Sequence, residues 1–287
     1  MSVASALSRR ELVRAAAQRS LTRRRITGRI AQALCGVAAI ASVAPLVALL
    51  YYTISRGVQM LTWSFLVHAP TPPTIPGGGI STAIAGTAEI VGLALVIAIP
   101  VALLAALFLF ERSGRLAAAL RFSADVLTGV PSIIIGIFAY ALIVLPLHAF
   151  SDLAAAFALA VLMLPIMIRA DEEAMRTIAL DLWEAGVALG ARRGRVARSV
   201  VLRGALPDLV TGNLLAIARA VGETAPLLFT LATPFAAMTL LIYTDGTQAF
   251  PIAQETAWGT ALVLLAFVLI LSVAAKIAAW RISRRAR

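Results

Sequence analysis

The sequence predicts an all-α polytopic membrane protein with six transmembrane helices and one long polar segment on the cytoplasmic side. Three observations carry this. Of 287 residues, 61% are hydrophobic and 14% charged, and the mean hydropathy is +0.93, far from the balance of a soluble domain. The apolar residues gather into runs long enough to cross a bilayer as helices. All 25 lysines and arginines except Arg56 and Arg219 fall in the amino-terminal arm, the loop after the second run, the segment around 169–203 or the tail. That bias places both termini and the polar segment in the cytoplasm.

In chain order, residues 1–29 form a basic cytoplasmic arm bearing Arg9, Arg10, Arg14, Arg19, Arg23, Arg24, Arg25 and Arg29. The apolar run 30–54 is longer than the hydrophobic region of a signal peptide, so it reads as the first span. The following Pro- and Gly-rich APTPPTIPGGG cannot continue a helix and predicts an external loop. The second span, 80–110, contains Pro100, and a short basic loop follows it. The third span, 124–150, holds Pro131 and Pro146, and the fourth, 153–168, holds Pro165. The fifth covers 206–231 and the sixth 257–279, so that residues 30–280 make one transmembrane domain and 281–287 a basic tail.

The segment 171–203 lies between spans four and five. Met175, Ile178, Leu182, Ala185 and Leu189 recur at three- and four-residue intervals, which predicts one amphipathic helix with Arg176, Asp181 and Glu184 off its apolar stripe. Gly190 supplies the stop, ahead of Arg192, Arg193, Arg195 and Arg198.

Charges inside apolar runs are costly, about 2.5–3.5 kcal/mol for a central Arg or Asp on insertion scales, so they face a bundle interior or a watery path. Arg219 and Glu223 stand four apart in span five, on one helix face and close enough to pair. Two readings stand: an ion pair that fixes helix packing, or a gate whose guanidinium offers a planar fork to an oxyanion. Glu89 in span two carries the same pair of readings. Arg169 and Glu172, three apart at the inner end of span four, can also pair, or Arg169 serves only as a topology signal.

Other chemistries lack their motifs. The +11 net charge does not indicate nucleic acid, because the basic residues alternate with spans. Cys35 is the single cysteine, and His68 and His148 have no ligand-like spacing, so neither a disulfide nor a metal site is expected. The only lysine, Lys276, follows Ala275, so the phosphate-cradling loop of an NTPase is missing. H-E-x-x-H, G-x-S-x-G and the dinucleotide fingerprint are missing as well.

The polar segment resembles a known signature. Glu184-Ala185-Gly186, Gly190, Val200 and Leu202 are similar to the E-A-A-x3-G-x9-I-x-L-P pattern of permease subunits of binding-protein-dependent ABC importers, with Gly186 in place of the second alanine and Arg203 in place of the proline. A basic residue at the last position resembles the phosphate-import branch. So do GGGI at Gly77 to Ile80, Pro131-Ser132 followed by IIIGIFAY, and above all AIARAVGETAPLLFT from Ala216 to Thr230, the most specific piece. The resemblance covers roughly 77–279 and is to the PstA-type half of the permease pair.

That resemblance implies a type I ABC importer permease fold in the bacterial inner membrane. It implies a non-catalytic subunit of an inorganic phosphate importer, with a PstC-type permease, a PstB-type ATPase dimer and a PstS-type external phosphate-binding protein as partners. It implies no cofactor on this chain, with ATP and Mg used by the ATPase. It assigns Glu184, Ala185, Gly186 and Gly190 to ATPase coupling. Arg219, Glu223 and Thr224 go to the translocation path or its gate, and so do Arg169 and Glu172, which match a second charged pair. The competing readings are a permease for another oxyanion, such as sulfate, molybdate or phosphonate, an ATP-independent channel or secondary transporter, and a subunit that also signals to a kinase.

Overall fold

The computed structural model describes residues 3–72, 75, 77–178 and 180–286. Pro73, Thr74 and Pro76 of the expected external loop and the side chains that carry most of the basic arm lie outside the described ones. Every regular element among the described residues is helical. Two compact units divide at residue 55.

In the first unit, the described residues 3–55 are one helix, the body of α1 (Val3–Gly57). The expected arm and span are continuous here, because the arm is rich in Ala, Leu and Arg, good helix formers, and offers no stop. From residue 30 to 54 the helix is apolar around most of its circumference, with Ile30, Leu34, Val37, Ile40 and Val43 all exposed, as expected of a span that meets lipid.

The second unit, residues 56–287, carries the remaining helices. Helix α2 (Trp63–Val67) is capped by Thr62, whose Oγ1 accepts from the Phe65 N–H at 3.3 Å. Then come α3 (Ser81–Glu111), α4 (Arg115–Thr128), α5 (Ser132–Ala139), a π-helical turn over Tyr140–Val144 and the short α6 (Leu145–Leu147). Helix α7 (Asp152–Arg176) starts at Ser151, which caps the Ala154 N–H at 3.2 Å. The cytoplasm-facing candidates α8 (Leu180–Ala188) and α9 (Arg193–Val196) lead through a π turn into α10 (Leu202–Val221). Helices α11 (Leu227–Thr230), α12 (Met238–Gly246) and α13 (Pro251–Ala286) complete the unit.

Among the described residues, five helical stretches are long and apolar enough to cross a membrane, and the pair 115–128 and 132–147 makes a sixth if its two arms count as one broken span. These arms meet at 103°, where the sequence predicts a third span over 124–150 holding Pro131 and Pro146. The bend falls at Gly129-Val130-Pro131: Pro131 has no N–H to continue the ladder and bars Val130 from helical geometry. The expected basic loop is therefore largely the first turns of α4. By contrast Pro100 and Pro165 sit inside unbroken helices.

Two further boundaries differ. Span five ends as a helix at Val221, and residues 222–226 are unwound, because Gly222 closes α10 and Pro226 cannot extend it. The polar segment is two helices rather than one: α7 runs on to Arg176, and α8 starts at Leu180 after a turn.

The core is built on close approach of α3 and α7. Ala94, Ala98, Ala102 and Ala106 recur every fourth residue on α3 and are fully buried; the first three cluster with Ala155, Ala156, Leu159, Ala160 and Met163 of α7, and Ala106 with Ala174 and Met175 at its far end. Alanines let the backbones approach, and dispersion across that seam replaces the hydrophobic drive that lipid does not provide. Helix α10 joins at Gly212, where an added Cβ would sit 2.9 Å from the Cβ of Ala170.

Candidate functional site

Arg219 occupies the last turn of α10, where a cation complements the helix dipole. Its Nε donates to Glu223 Oε1 at 3.4 Å, a long contact that leaves both terminal nitrogens of the fork for another acceptor. The Arg219 side chain is half exposed, whereas that of Glu223 is 17% exposed. Residue spacing thus predicted this pair correctly. Thr224 lies beside it, and its carbonyl accepts from the Leu227 and Leu228 N–H groups at 3.1 and 3.3 Å, opening α11.

The unwound stretch is held from two sides, and α3 holds the irregular backbone that follows it, up to the start of α12. The Thr239 hydroxyl donates to the Glu223 carbonyl at 3.1 Å. Gly136 of α5 presses on Pro226, where a Cβ would come within 2.7 Å of its Cα. On α3, the Thr87 hydroxyl accepts from the Met238 N–H at 2.9 Å, Thr82 donates to the Phe235 carbonyl at 3.2 Å, and a Cβ on Gly86 would lie 2.1 Å from the Ala236 carbonyl oxygen. Irregular backbone at membrane depth survives only where protein buries it or where it lines a watery path, and this stretch is anchored accordingly. Gly86→Ala drives a methyl group into a backbone carbonyl, so it is expected to destabilise the chain by about 2 kcal/mol, measured as a lower melting temperature of the purified permease.

A second charged group lies elsewhere on the fold. Glu172, with its side chain 5% exposed, accepts from Arg121 Nε and Arg176 Nη2, both at 2.8 Å, and pairs with Arg169 Nη1 at 3.4 Å. The Arg169–Glu172 pair is thus present, but the closer partner of Arg169 is Asp125 on α4, which receives its Nε at 2.9 Å and its Nη2. Arg121 also donates to the Leu109 carbonyl at 2.9 Å, so α3, α4 and α7 meet on this cluster. One residue before Glu172, the buried Asp171 accepts from Asn213 Nδ2 at 2.7 Å and ties α7 to α10. Among the described residues no hydrogen bond or ion pair joins this group to Arg219. Glu89 is exposed on α3, apart from both.

The coupling candidates fall on α8 and the turn after it. Gly190 has φ +81°, the left-handed conformation expected of a helix stop, and its N–H reaches the Val187 carbonyl at 2.9 Å. Gly186 faces Val196, whose Cγ1 would lie 2.9 Å from an added Cβ, so the glycine standing where the signature has alanine permits this contact. Of the expected apolar stripe, Met175 and Ile178 pack inward, while Leu182, Ala185 and Leu189 are exposed together with Glu184. The break after Arg176 turns that half of the stripe outward. Trp183 anchors α8 instead: it packs edge-on against Phe110 at 5.6 Å, beside the cluster of Ala106, Met175, Val201 and Leu209. Sequence periodicity missed Trp183, Arg121, Asp125 and Asn213. The four-residue spacing of Arg121 and Asp125 was the one local signal for part of this group.

Comparison with known proteins agrees with this architecture. Residues 98–287 match the family described as binding-protein-dependent transport system inner membrane component. The chain is 34% identical over 244 residues to the phosphate transport system permease protein PstA of Yersinia pestis, covering 81% of this chain and 83% of that one. It is 35% identical over 282 residues to PstA 1 of Mycobacterium tuberculosis, covering 92% and 91%. Among solved structures, an inward-facing MetNI methionine ABC transporter chain aligns with TM-score 0.60 at 22% identity, over 71% of this chain and 94% of that one. A chain of a bacterial ABC transporter for the import of alginate aligns with TM-score 0.53 at 14% identity, over 85% and 98%. These two share the fold. The chain belongs to the family of binding-protein-dependent transport system inner membrane components, alongside its PstA relatives.

Proposed function

We propose that this chain is the PstA-type half of the permease pair in an ATP-driven inorganic phosphate importer. It works beside a PstC-type permease, a PstB-type ATPase dimer and a PstS-type external phosphate-binding protein. The termini and α8 face the cytoplasm of a bacterial inner membrane, as the basic residues between the spans favour. One observation carries the reading: Arg219 ends a helix at an anchored break within the apolar bundle and keeps two guanidinium nitrogens free for an oxyanion.

In this mechanism, ATP and Mg act on the partner ATPase, which closes around nucleotide and moves α8. Its exposed Leu182, Glu184, Ala185 and Leu189 dock on that subunit, and Trp183 passes the movement to Phe110 and the inner ends of α3, α7 and α10. Phosphate released from the external protein meets Arg219, and Glu223 holds the arginine between passages. The contact is transient, since a transported anion must also leave. Arg169, Glu172 and their partners keep the inner helix ends together during the movement.

Competition decides the substrate: with labelled phosphate in vesicles holding the full transporter, unlabelled phosphate is expected to suppress uptake, while equal sulfate, molybdate or phosphonate leaves it in place. Suppression by one of those anions at lower concentration than phosphate reassigns the substrate. Trp183→Ala is expected to lower uptake per ATP hydrolysed several-fold, measured by following both fluxes in the same vesicles.

A further inference from the structure

A cavity of about 260 Å³ opens between the loop before α3 and the junction of α12 with α13. Asp245 and Glu255 line it, with Thr71, Thr256, Gly78 and Gly79. Asp245 is 7% exposed, and among the described residues nothing donates a hydrogen bond to its carboxylate or forms an ion pair with it. No arginine, lysine or histidine is among the described residues lining the cavity.

The position of Asp245 adds to its cost. It stands in the last turn of α12, where the helix dipole already places negative charge, so its own helix repels the carboxylate. Burial without a donor pushes the Asp245 carboxyl above the ordinary carboxylate range. Glu255 is exposed, in the opening turns of α13, where an anion suits the dipole. Backbone hydrogen bonds hold the part of the cavity wall next to α3. Gly79 donates to the Ala69 carbonyl at 3.0 Å and Ile80 to the Phe65 carbonyl at 2.8 Å. A Cβ on Gly79 would lie 2.3 Å from the His68 carbonyl oxygen, and one on Gly78 2.3 Å from Thr71 Oγ1. A buried, uncompensated carboxylate in a preformed hollow is a site for positive charge.

We propose that this cavity receives one cationic side chain, a lysine ammonium or an arginine guanidinium, of the external binding protein, seated against Asp245 with Glu255 at the mouth. The inference rests on the reading above, which puts this end of α13 on the outer face and a binding protein against it. A side chain suits the site because a long apolar stem can lie along Met60, Ile75 and Ile252 while its charged head reaches Asp245. It makes Asp245 a docking residue, outside the path of the transported anion.

The test uses the assembled transporter in vesicles and titrates the external binding protein, reading stimulated ATP hydrolysis. Asp245→Asn keeps the shape and removes the charge, and is expected to raise the half-saturating concentration of binding protein about tenfold. Adding Glu255→Gln raises it further and flattens its salt dependence. The Asp245→Asn transporter is expected to melt no lower than the original, since a buried lone charge has been removed, which separates docking from folding. Changing the outward lysines and arginines of the binding protein one at a time to alanine should find one whose loss gives the same shift and adds nothing to Asp245→Asn. An unchanged half-saturation in both carboxylate variants overturns the proposal. So does a variant that docks normally but loses a dependence on Na⁺ or K⁺, which assigns the cavity to a free cation. A wild-type transporter that binding protein does not stimulate overturns the importer reading itself, a different failure.

Discussion

Arg219→Ala is expected to reduce ATP-dependent phosphate uptake about 10- to 100-fold, the loss that corresponds to one charge-assisted contact of about 1.5–3 kcal/mol. Assembly should survive, because the arginine makes a single 3.4 Å contact and is half exposed. Arg219→Lys keeps the charge but loses the planar fork, so it should recover only part of the rate. Co-purification of the transporter subunits checks assembly, and initial rates of labelled phosphate uptake check function. Normal uptake by the alanine variant would make the arginine a packing residue and leave the translocation role without its principal group.

Glu172→Ala is expected to act on stability. The carboxylate is buried and shared by Arg121, Arg169 and Arg176. Its removal leaves three cations facing one another at the junction of α3, α4 and α7. The arginines left behind are 26–53% exposed and Arg169 keeps Asp125, so solvent and that carboxylate offset part of the loss; the cost is about 1–3 kcal/mol, and the purified permease should melt a few degrees lower. Glu172→Gln retains an acceptor for one arginine and should lie between. A melting temperature unchanged by Glu172→Ala would mean that Asp125 and solvent satisfy the arginines without it.

These two groups were legible in the sequence to different degrees. The pair Arg219 and Glu223 was readable because both stand four apart inside an apolar run, where any charge stands out, although Arg219 ends α10 and Glu223 lies in the unwound stretch after it. Arg169 and Glu172 were readable for the same local reason, yet Arg121 and Asp125 come from another helix, and residues far apart in sequence carry no spacing that announces contact. The spacing from Met175 to Leu189 predicts one amphipathic helix with a single apolar stripe. A break after Arg176 that no proline or glycine marks sends half of it outward, and periodicity alone cannot see such a turn.

Fold class needed only composition, apolar run length and the placement of arginines, all properties of one chain in lipid. The 103° bend had a visible cause in Gly129-Val130-Pro131, but Pro100 and Pro165 are prolines in intact helices, so a proline alone did not tell a bend from a tolerated kink. The alanines that recur every fourth residue on α3 lie in a run that is apolar on every face, so their spacing does not tell which face is buried. Their role appears only once α7 lies against them. The cavity at Asp245 has the same character: Thr71, Asp245 and Glu255 meet through the fold, and only burial shows that the carboxylate lacks a partner.

The most direct measurement is uptake of labelled phosphate into lipid vesicles holding this chain with its partner permease and ATPase, with ATP and external binding protein each supplied or withheld. The account predicts uptake only when both are present. Phosphate flux without ATP would contradict it and make the chain part of a channel or secondary transporter.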